Sequence, residues 1–341
     1  MLHLDTRLPG SESSPCLSQQ VSRREESLFS RSTWLGVVLV GPTAVGKTAL
    51  SLRLAQRWNA EIVVADSLQV YRYLDIGTGK PSLAERQMVP HHLLDLVEPP
   101  DPFTAGDFRR LAEVRIKEIR ERGRLPLIVG GCGLYIRALV DGLFSGSASS
   151  SEVRERLART VREEGEEVLY QRLLSLDPMM AQKIHPHDSY RLVRALEIFE
   201  TTQRRPSEVR GVVWPRRKDV PFLMIGLWRP RSSLYRLIEE RIENMMEAGF
   251  LQEVRMLICR YSVDCKPLGA LGYSHLISYL QGRWGLEEAI SRWKRDTRRY
   301  SKRQMTWFGR DERIQWVSLE PGEEKACQRI EEIVARSGEG G

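Results

Sequence analysis

Residues 41–48 of this chain read GPTAVGKT, directly after the apolar run at 36–40 and before a segment, 49–55, with apolar residues at helical spacing. A strand, a glycine turn and a helix in this order are the context in which the pattern G-x-x-x-x-G-K-[ST] binds phosphate. The two glycines let successive backbone N–H groups point at anionic oxygens, and the helix N-terminus adds a favourable dipole. The pattern therefore predicts a phosphate-binding loop, here called the P-loop, that holds a di- or triphosphate.

Every position of the P-loop is a candidate ligand-binding residue. These positions are Gly41, Pro42, Thr43, Ala44, Val45, Gly46, Lys47 and Thr48. Lys47 supplies a positive charge, and the hydroxyl of Thr48 is a candidate ligand for Mg²⁺. An ordinary glycine-rich turn is the structural alternative, and the flanking strand and helix argue against it.

The composition is that of a globular protein with an acidic partner. The 341 residues leave room for about two domains. No apolar run approaches the ~18 residues of a membrane span, so no membrane partner is expected. The net charge of +7 suggests nucleic acid or another acidic partner, and the five cysteines form no CxxC pair. An odd number of cysteines without such pairs indicates a protein of the reducing cytoplasm. A monomer is the default expectation for the oligomeric state.

The predicted fold class is α/β, a P-loop NTPase-like parallel sheet flanked by helices, with an inserted all-helical domain. Strand-like runs at 61–65 and 125–129 alternate with helical segments, which predicts parallel strands with ligands at their carboxyl ends. The pattern from 152 to 202 is helical throughout, after a serine-rich joint at 145–151. The predicted divisions are a disordered extension at 1–33, a first core part at 34–145, a helical insertion at 146–215, a second core part with an RNA-binding helix at 216–322, and a C-terminal helix and tail at 323–341.

Asp66 follows the second predicted strand, so its carboxylate is expected at the same sheet edge as the P-loop. It could bind magnesium, orient a hydroxyl group, act as a general base, or cap a helix. The segment Asp75–Pro81, which contains Gly79 and Lys80, is either a surface loop or a mobile loop that faces phosphate or nucleic acid.

A basic segment near the C-terminus predicts an RNA-binding helix. Between 292 and 303 seven residues are basic and one is acidic, with Trp293, Tyr300 and Trp307 interleaved. A basic face with aromatic residues suits phosphates and stacked bases. The alternative is a solvated amphipathic helix. We expect the aromatic residues to lie mostly in the core and the cations to face RNA.

Six motifs, taken in order, resemble the bacterial tRNA dimethylallyltransferases, also called tRNA isopentenyltransferases. The matching segments are 41–48, 66–71, 75–81, 130–135, 184–191 and 302–307. The resemblance runs from about residue 35 to 318.

This resemblance implies transfer of a dimethylallyl group from dimethylallyl diphosphate to N6 of the adenosine immediately 3′ of the anticodon. Asp66 would be the general base that takes the N6 proton. Lys47, Arg241 and an Mg²⁺ ion on Thr48 would neutralise the leaving diphosphate. The P-loop would then serve a prenyl diphosphate, so that an ATP-binding label could mislead.

The resemblance also implies a set of contacts to the tRNA anticodon stem-loop, whose target base must leave its stack to be modified. The implied residues are Asp66, Ser67, Leu68, Gln69, Cys132, Arg154, Tyr190, Arg191, Leu192, Val193, Arg194, Arg298, Arg299, Lys302, Arg303 and Gln304. Cys132 departs from the threonine common in the family, and a thiol is a weaker donor than a hydroxyl.

Three other functions use the same features. An adenylate isopentenyltransferase would act on free AMP or ATP, and a P-loop kinase would use Asp66 on an acceptor hydroxyl. A non-catalytic RNA-binding module would retain only the phosphate site. The basic segment and the helical insertion disfavour the first of these, because a free nucleotide requires neither.

Overall fold

The computed structural model describes residues 34–142, 150–211 and 222–338. The extension predicted at 1–33 and residues 145–149 of the serine-rich joint predicted at 145–151 lie outside these ranges. Within the described ranges, no helix has both the length and the apolar character needed to cross a membrane.

A six-stranded, entirely parallel sheet confirms the predicted fold class. The strands are β1 (Gly36–Val40), β2 (Ala60–Val64), β3 (His91–His92), β4 (Leu125–Gly130), β5 (Phe222–Trp228) and β6 (Gln315–Ser318), in the spatial order β3-β2-β4-β1-β5-β6. Every residue of β1, β2 and β4 is buried. Runs of β-branched and leucine side chains without polar alternation are typical of parallel strands covered on both faces.

The strand order brings the predicted site to one edge of the sheet. β1 lies between β4 and β5, with Val38 beside both Ile128 and Met224. The P-loop therefore neighbours the segments that follow β4 and β5, and Asp66 follows β2 on the other side of β4. Gly130 permits the close approach of β4 to the end of β2, since a Cβ atom there would lie 2.1 Å from the carbonyl oxygen of Ala65.

The helices include those predicted at 49–55, within 152–202, at the basic segment 292–303 and within 323–341, and the elements that the sequence analysis missed are short. The helices are α1 (Lys47–Arg57), α2 (Leu83–Met88), α3 (Ala105–Glu121), α4 (Gly133–Val140), α5 (Ser151–Glu164), α6 (Glu166–Leu176), α7 (Pro178–Ala181), α8 (Ser189–Thr202), α9 (Pro206–Gly211), α10 (Arg231–Glu247), α11 (Phe250–Arg260), α12 (Tyr273–Leu280), α13 (Leu286–Phe308) and α14 (Glu323–Gly338). The sequence analysis missed α2, α9, α12, the two-residue strand β3 and a 3-10 turn at Lys266–Gly269. These elements are too short for a hydrophobic period to be visible.

The described chain divides into two compact units, whose boundaries differ from those of the predicted domains. The helical unit comprises Phe103–Glu113 and the residues from Cys132 onward up to the return of the chain at β5, rather than 146–215. The segment Phe103–Glu113 belongs to the helical unit because the ring of Phe108 stacks on that of Tyr135, with centroids 4.5 Å apart. The core of this unit includes Leu157, Leu173 and Leu196.

The C-terminal helix α14 belongs to the sheet-containing unit and is not a separate segment. Its residues Ile330 and Val334 are buried. Glu324 at its start accepts a hydrogen bond of 2.7 Å from Arg57 of α1.

Candidate functional site

The P-loop closes around the side chain of its own lysine. Gly46 has the left-handed backbone φ of 111° that glycine tolerates, and α1 begins at the next residue, Lys47. The ammonium group of Lys47 donates hydrogen bonds to the carbonyl oxygens of Gly41 (2.9 Å) and Pro42 (2.8 Å). From the end of β5, Arg229 Nε donates to the carbonyl oxygen of Val45 at 3.0 Å. The loop is therefore supported from inside and from the neighbouring strand.

Two enclosed cations and one carboxylate define the electrostatics of the site. Burial and, to a smaller extent, the nearby Arg241 lower the pKa of Lys47 to about 7, although Asp66 acts in the opposite direction. Burial also lowers the pKa of Arg241, again opposed by Asp66. Both cations thus lack full compensation by protein charge, and an anion bound at the P-loop would supply it.

Asp66 is held by a turn and does not cap a helix. Its Oδ1 atom accepts the backbone N–H groups of Leu68 (2.8 Å) and Gln69 (3.3 Å). Its other oxygen, Oδ2, accepts no hydrogen bond from the described residues, so it remains available to take a proton. The side chains of Asp66, Ser67, Leu68 and Gln69 are all half-buried at this edge.

The loop at 75–81 is held by several side-chain hydrogen bonds, which disfavours the alternative of a mobile loop that faces phosphate or nucleic acid. The side chain of Lys80 is only 1% exposed and donates to Tyr71 O, Asp75 Oδ1 and Asp95 Oδ1 at 2.6–2.8 Å. The three N–H donors of its ammonium group are therefore all bonded to acceptors of the protein. The loop instead offers the carbonyl oxygen of Thr78, which accepts Arg241 Nη2 at 3.2 Å.

Glu253 holds this loop from α11 and was missed by the sequence analysis. Its carboxylate accepts three consecutive backbone N–H groups, those of Asp75 (3.1 Å), Ile76 (2.7 Å) and Gly77 (3.1 Å), and the hydroxyl of Tyr273 (2.7 Å). Burial and the Glu253 carboxylate raise the pKa of Tyr273, which keeps its hydroxyl group protonated as a donor. In the sequence, the one feature that could have revealed Glu253 is that it is an acidic residue within the apolar stripe of α11.

We expect Glu253→Gln to destabilise the protein by about 3 kcal/mol, because an amide replaces a charged acceptor of several buried donors. Urea unfolding followed by circular dichroism measures this change. The matched control is Glu247→Gln, an exposed acid on α10, which should stay within about 0.5 kcal/mol of the wild type. Equal stability of the two variants would contradict the role assigned to Glu253.

The basic face of α13 is less open than predicted. Five of its seven cations form ion pairs within the protein: Arg292 with Glu288, Lys294 with Glu243, Arg295 and Arg299 with Asp296, and Arg298 with Glu239. Lys302 and Arg303 are exposed and form no ion pair with a described residue. The prediction for the aromatic residues holds for Trp293, which is buried, and fails for Trp307, which is 46% exposed.

In the helical unit, α8 does not expose every residue that the resemblance implied. Leu192 and Val193 are buried in the core of the unit, so their side chains face inward, and their contact with tRNA stays a prediction. They lie on the inner face of an amphipathic helix, whereas Tyr190 is 72% exposed and Arg191 is also on the surface.

The other implied contacts in this unit are partly engaged. The buried carboxylate of Glu197 accepts Arg154 Nη2 (3.0 Å) and Arg194 Nη1 (2.7 Å). Cys132 is half-buried at the N-cap of α4, where its thiol makes no capping hydrogen bond. Contacts of Arg154, Arg194 and Cys132 with tRNA stay predictions.

A cavity of about 1000 Å³ lies in the sheet-containing unit beside the P-loop. Its lining includes Ala44, Ile76, Leu237, Arg241 and Met245. Among the described residues, no group of three or more His, Cys, Asp or Glu side chains is placed to hold a metal ion. Basic and acidic side chains, among them Arg86 and Glu240, also line it, so the cavity combines an apolar wall with charged groups next to the P-loop.

A P-loop after the central strand of a parallel sheet, with two enclosed cations and a carboxylate at the same edge, defines a phosphate-binding α/β protein suited to group transfer. The comparisons with known proteins identify the family. The chain belongs to the IPP transferase family, whose model matches residues 69–311, and an isopentenyl transferase model matches residues 36–95.

The relatives compared here are named tRNA dimethylallyltransferases. The tRNA dimethylallyltransferase of Desulfitobacterium hafniense (strain Y51) is 44% identical over 84% of this chain and 92% of its own length. The tRNA dimethylallyltransferase 1 of Syntrophotalea carbinolica is 45% identical over 82% of this chain and 90% of its own length.

Solved structures agree. The tRNA isopentenylpyrophosphate transferase of Bacillus halodurans is 39% identical with a TM-score of 0.66, and the match covers 89% of this chain and 96% of that one. A eukaryotic dimethylallyltransferase, described as acting on tRNA, is 28% identical with a TM-score of 0.74 over 88% of this chain and 79% of its own.

Proposed function

We propose that this chain transfers the dimethylallyl group from dimethylallyl diphosphate to N6 of the adenosine immediately 3′ of the anticodon in tRNA, with release of diphosphate. Family membership supports the reaction class. The observation that carries the proposal is that Asp66 lies close enough to both Lys47 and Arg241 for its charge to oppose the burial that lowers the pKa of each. Such coupling requires the proposed base and the proposed diphosphate site to lie close together.

The proposed chemistry divides between these groups. The N6 amine attacks C1 of the dimethylallyl group, the bond from C1 to the diphosphate oxygen breaks, and its electron pair leaves with the diphosphate. Asp66 Oδ2 takes the proton that N6 loses. This step needs a positioned base because the lone pair of the exocyclic amine is delocalised into the purine ring.

The leaving group requires positive charge where the diphosphate develops its own negative charge. Lys47 and Arg241 supply it, and the N–H groups at the start of α1 add hydrogen bonds. The apolar wall of the neighbouring cavity, with Ile76, Leu237 and Met245, suits the hydrocarbon part of the substrate.

Mg²⁺ is the proposed cofactor, and the exposed hydroxyl of Thr48 in the first turn of α1 is the residue that would hold it. Mg²⁺ commonly uses few protein ligands and takes its remaining oxygens from phosphates and water, which fits a site without a carboxylate cluster. When bound, the ion would neutralise part of the diphosphate charge. A monomer that acts in the cytoplasm completes the proposal.

The test is an incubation of the protein with Mg²⁺, dimethylallyl diphosphate and either an anticodon stem-loop or AMP, followed by detection of the N6-modified nucleoside. We expect product with the RNA only. Product with AMP alone would make this a free-nucleotide enzyme. Phosphorylation of a metabolite by ATP, without prenyl transfer, would make it a kinase.

Lys302 and Arg303, the two cations of α13 without an ion pair to a described residue, should bind RNA phosphate. We expect the double change Lys302→Gln and Arg303→Gln to weaken binding of the anticodon stem-loop. The slope of log K against log salt should fall by about 1 for each phosphate that the variant no longer neutralises. Fluorescence anisotropy at several salt concentrations measures the slope.

Arg298→Gln is the control, because its guanidinium group already pairs with Glu239 at 2.5 Å. We expect it to change the slope by less than the double substitution does. A larger effect of Arg298→Gln would mean that RNA displaces Glu239 and that the phosphate contacts lie further along the helix.

A further inference from the structure

Gln304 is a buried amide on the inner face of α13, the helix that carries Lys302 and Arg303 on its outer face. Only 6% of Gln304 is exposed, and it lies in a buried stripe with Trp293 and Phe308. A neutral polar side chain in such a stripe requires partners for both ends of its amide group.

Both ends of the amide are bonded to backbone groups of the phosphate site. Oε1 accepts the N–H group of Thr43 at 2.9 Å, and Nε2 donates to the carbonyl oxygen of Gly131 at 2.9 Å. Thr43 belongs to the P-loop after β1, and Gly131 follows the end of β4, the neighbouring strand. Gln304 thus joins two adjacent strand ends that are far apart in the sequence.

The packing around this bridge is close. A Cβ atom at Gly131 would lie 2.5 Å from Gln304 Nε2, 3.4 Å from Gly41 O and 3.6 Å from Lys47 Nζ. The amide of Gln304, the carbonyl oxygen of Gly41 and the ammonium group of Lys47 therefore all converge on Gly131. A shift of Gln304 would be passed directly to these atoms, because the interior leaves no room to absorb it.

We propose that Gln304 is a positioning residue: it holds Thr43 and Gly131 so that the P-loop keeps the shape that receives a diphosphate, and it does not contact tRNA. This role replaces the RNA contact that the family resemblance implied for Gln304, and it rests on the proposed function. The helix α13 then contributes to the binding of both substrates. Its exposed cations bind RNA, and its buried amide holds the P-loop that binds the diphosphate.

The first test is Gln304→Met, which keeps the length of the side chain and removes both hydrogen bonds. We expect the affinity for inorganic pyrophosphate, measured by isothermal titration calorimetry, to fall about tenfold. We expect kcat for prenyl transfer to fall about 10- to 100-fold, while the affinity for the anticodon stem-loop and its salt dependence stay at wild-type values. The double variant of Lys302 and Arg303 is the matched control and should show the opposite pattern.

The second test is Gln304→Glu, which distinguishes positioning from a general loss of packing. When protonated, the introduced carboxyl group can accept from Thr43 and donate to Gly131, as the amide does. When ionised, it repels the carbonyl oxygen of Gly131. We expect its kcat relative to wild type to recover as the pH falls, whereas the relative kcat of Gln304→Met should not depend on pH.

The outcomes separate the possibilities. A loss of stem-loop affinity in Gln304→Met with unchanged pyrophosphate affinity would restore the direct RNA contact and overturn the proposal. Unchanged affinity for both ligands, or no pH-dependent recovery in a folded Gln304→Glu variant, would overturn it as well. The pyrophosphate titration needs no prenyl transfer, so a wild-type protein that binds pyrophosphate without forming product would refute the proposed function alone.

Discussion

Replacing Asp66 by asparagine should lower kcat for prenyl transfer about 10²–10⁴-fold, the usual contribution of a positioned general base. Asparagine keeps the size of the side chain, and its oxygen can still accept the N–H groups of Leu68 and Gln69 that Oδ1 accepts now. It cannot take the proton from N6. Single-turnover kinetics with saturating stem-loop measure the chemical step, and anisotropy measures RNA binding, which should persist.

Asp101→Asn is the control for this prediction, because Asp101 is an exposed acid to which no part of the proposed chemistry is assigned. It should transfer the prenyl group at the wild-type rate. If Asp66→Asn lost RNA binding but kept its turnover per bound complex, Asp66 would be a recognition residue and the base would have to be another group.

Replacing Lys47 by methionine should lower kcat about 10²–10³-fold, as expected when one preorganised donor to a developing charge is removed. The ammonium group is enclosed by Gly41 and Pro42 and has no substitute at its position. Lys47→Arg keeps a charge in the loop and is the matched control. We expect it to retain more pyrophosphate affinity than Lys47→Met, and equal affinities would show that the charge at 47 is not used.

The pKa of Lys47 gives this prediction a pH dependence. In the ligand-free protein the pKa is about 7, and a bound diphosphate raises it. Below that pH the Lys47 side chain is therefore already charged when the anion binds. At higher pH Lys47 must take up a proton when pyrophosphate binds. Affinity for pyrophosphate should fall as the pH rises above about 7, beyond the change due to the titration of pyrophosphate itself.

Calorimetry in buffers of different ionisation enthalpy counts the protons taken up at pH 8. The same titration with Lys47→Arg should lack this proton uptake, since a guanidinium group stays protonated throughout the range. Equal proton uptake by both proteins would assign the titration to another group.

The contrast between Asp66 and Glu253 shows which site residues a sequence can reveal. Asp66 follows a strand directly, so its place at the sheet edge is a consequence of local structure and the parallel arrangement of strands. Glu253 acts on residues about 175 positions away through three backbone N–H groups, and nothing near it in the sequence signals those partners.

The pattern of charges along a helix also did not decide which of its side chains are free to contact a ligand. The cations of α13 were expected to face RNA, but five of the seven find acids on the same or neighbouring elements. Likewise Leu192 and Val193 match the family pattern, yet the inner face of α8 buries them. In each case the neighbours of a side chain in the folded protein, and not its residue type, decide what it can contact.

By itself the sequence determined the α/β class, the P-loop and its position after a buried strand, because these depend on short patterns of glycine, apolar and charged residues within a few positions. It also determined the family, through motifs that occur in order. The tertiary structure alone decided that Lys80 is an internal tie, that Glu253 holds the loop that positions Arg241, and that Gln304 bridges the P-loop to β4. The physical reason is that a buried polar group must be satisfied, and its partner is chosen by which backbone groups the folded chain brings within about 3 Å.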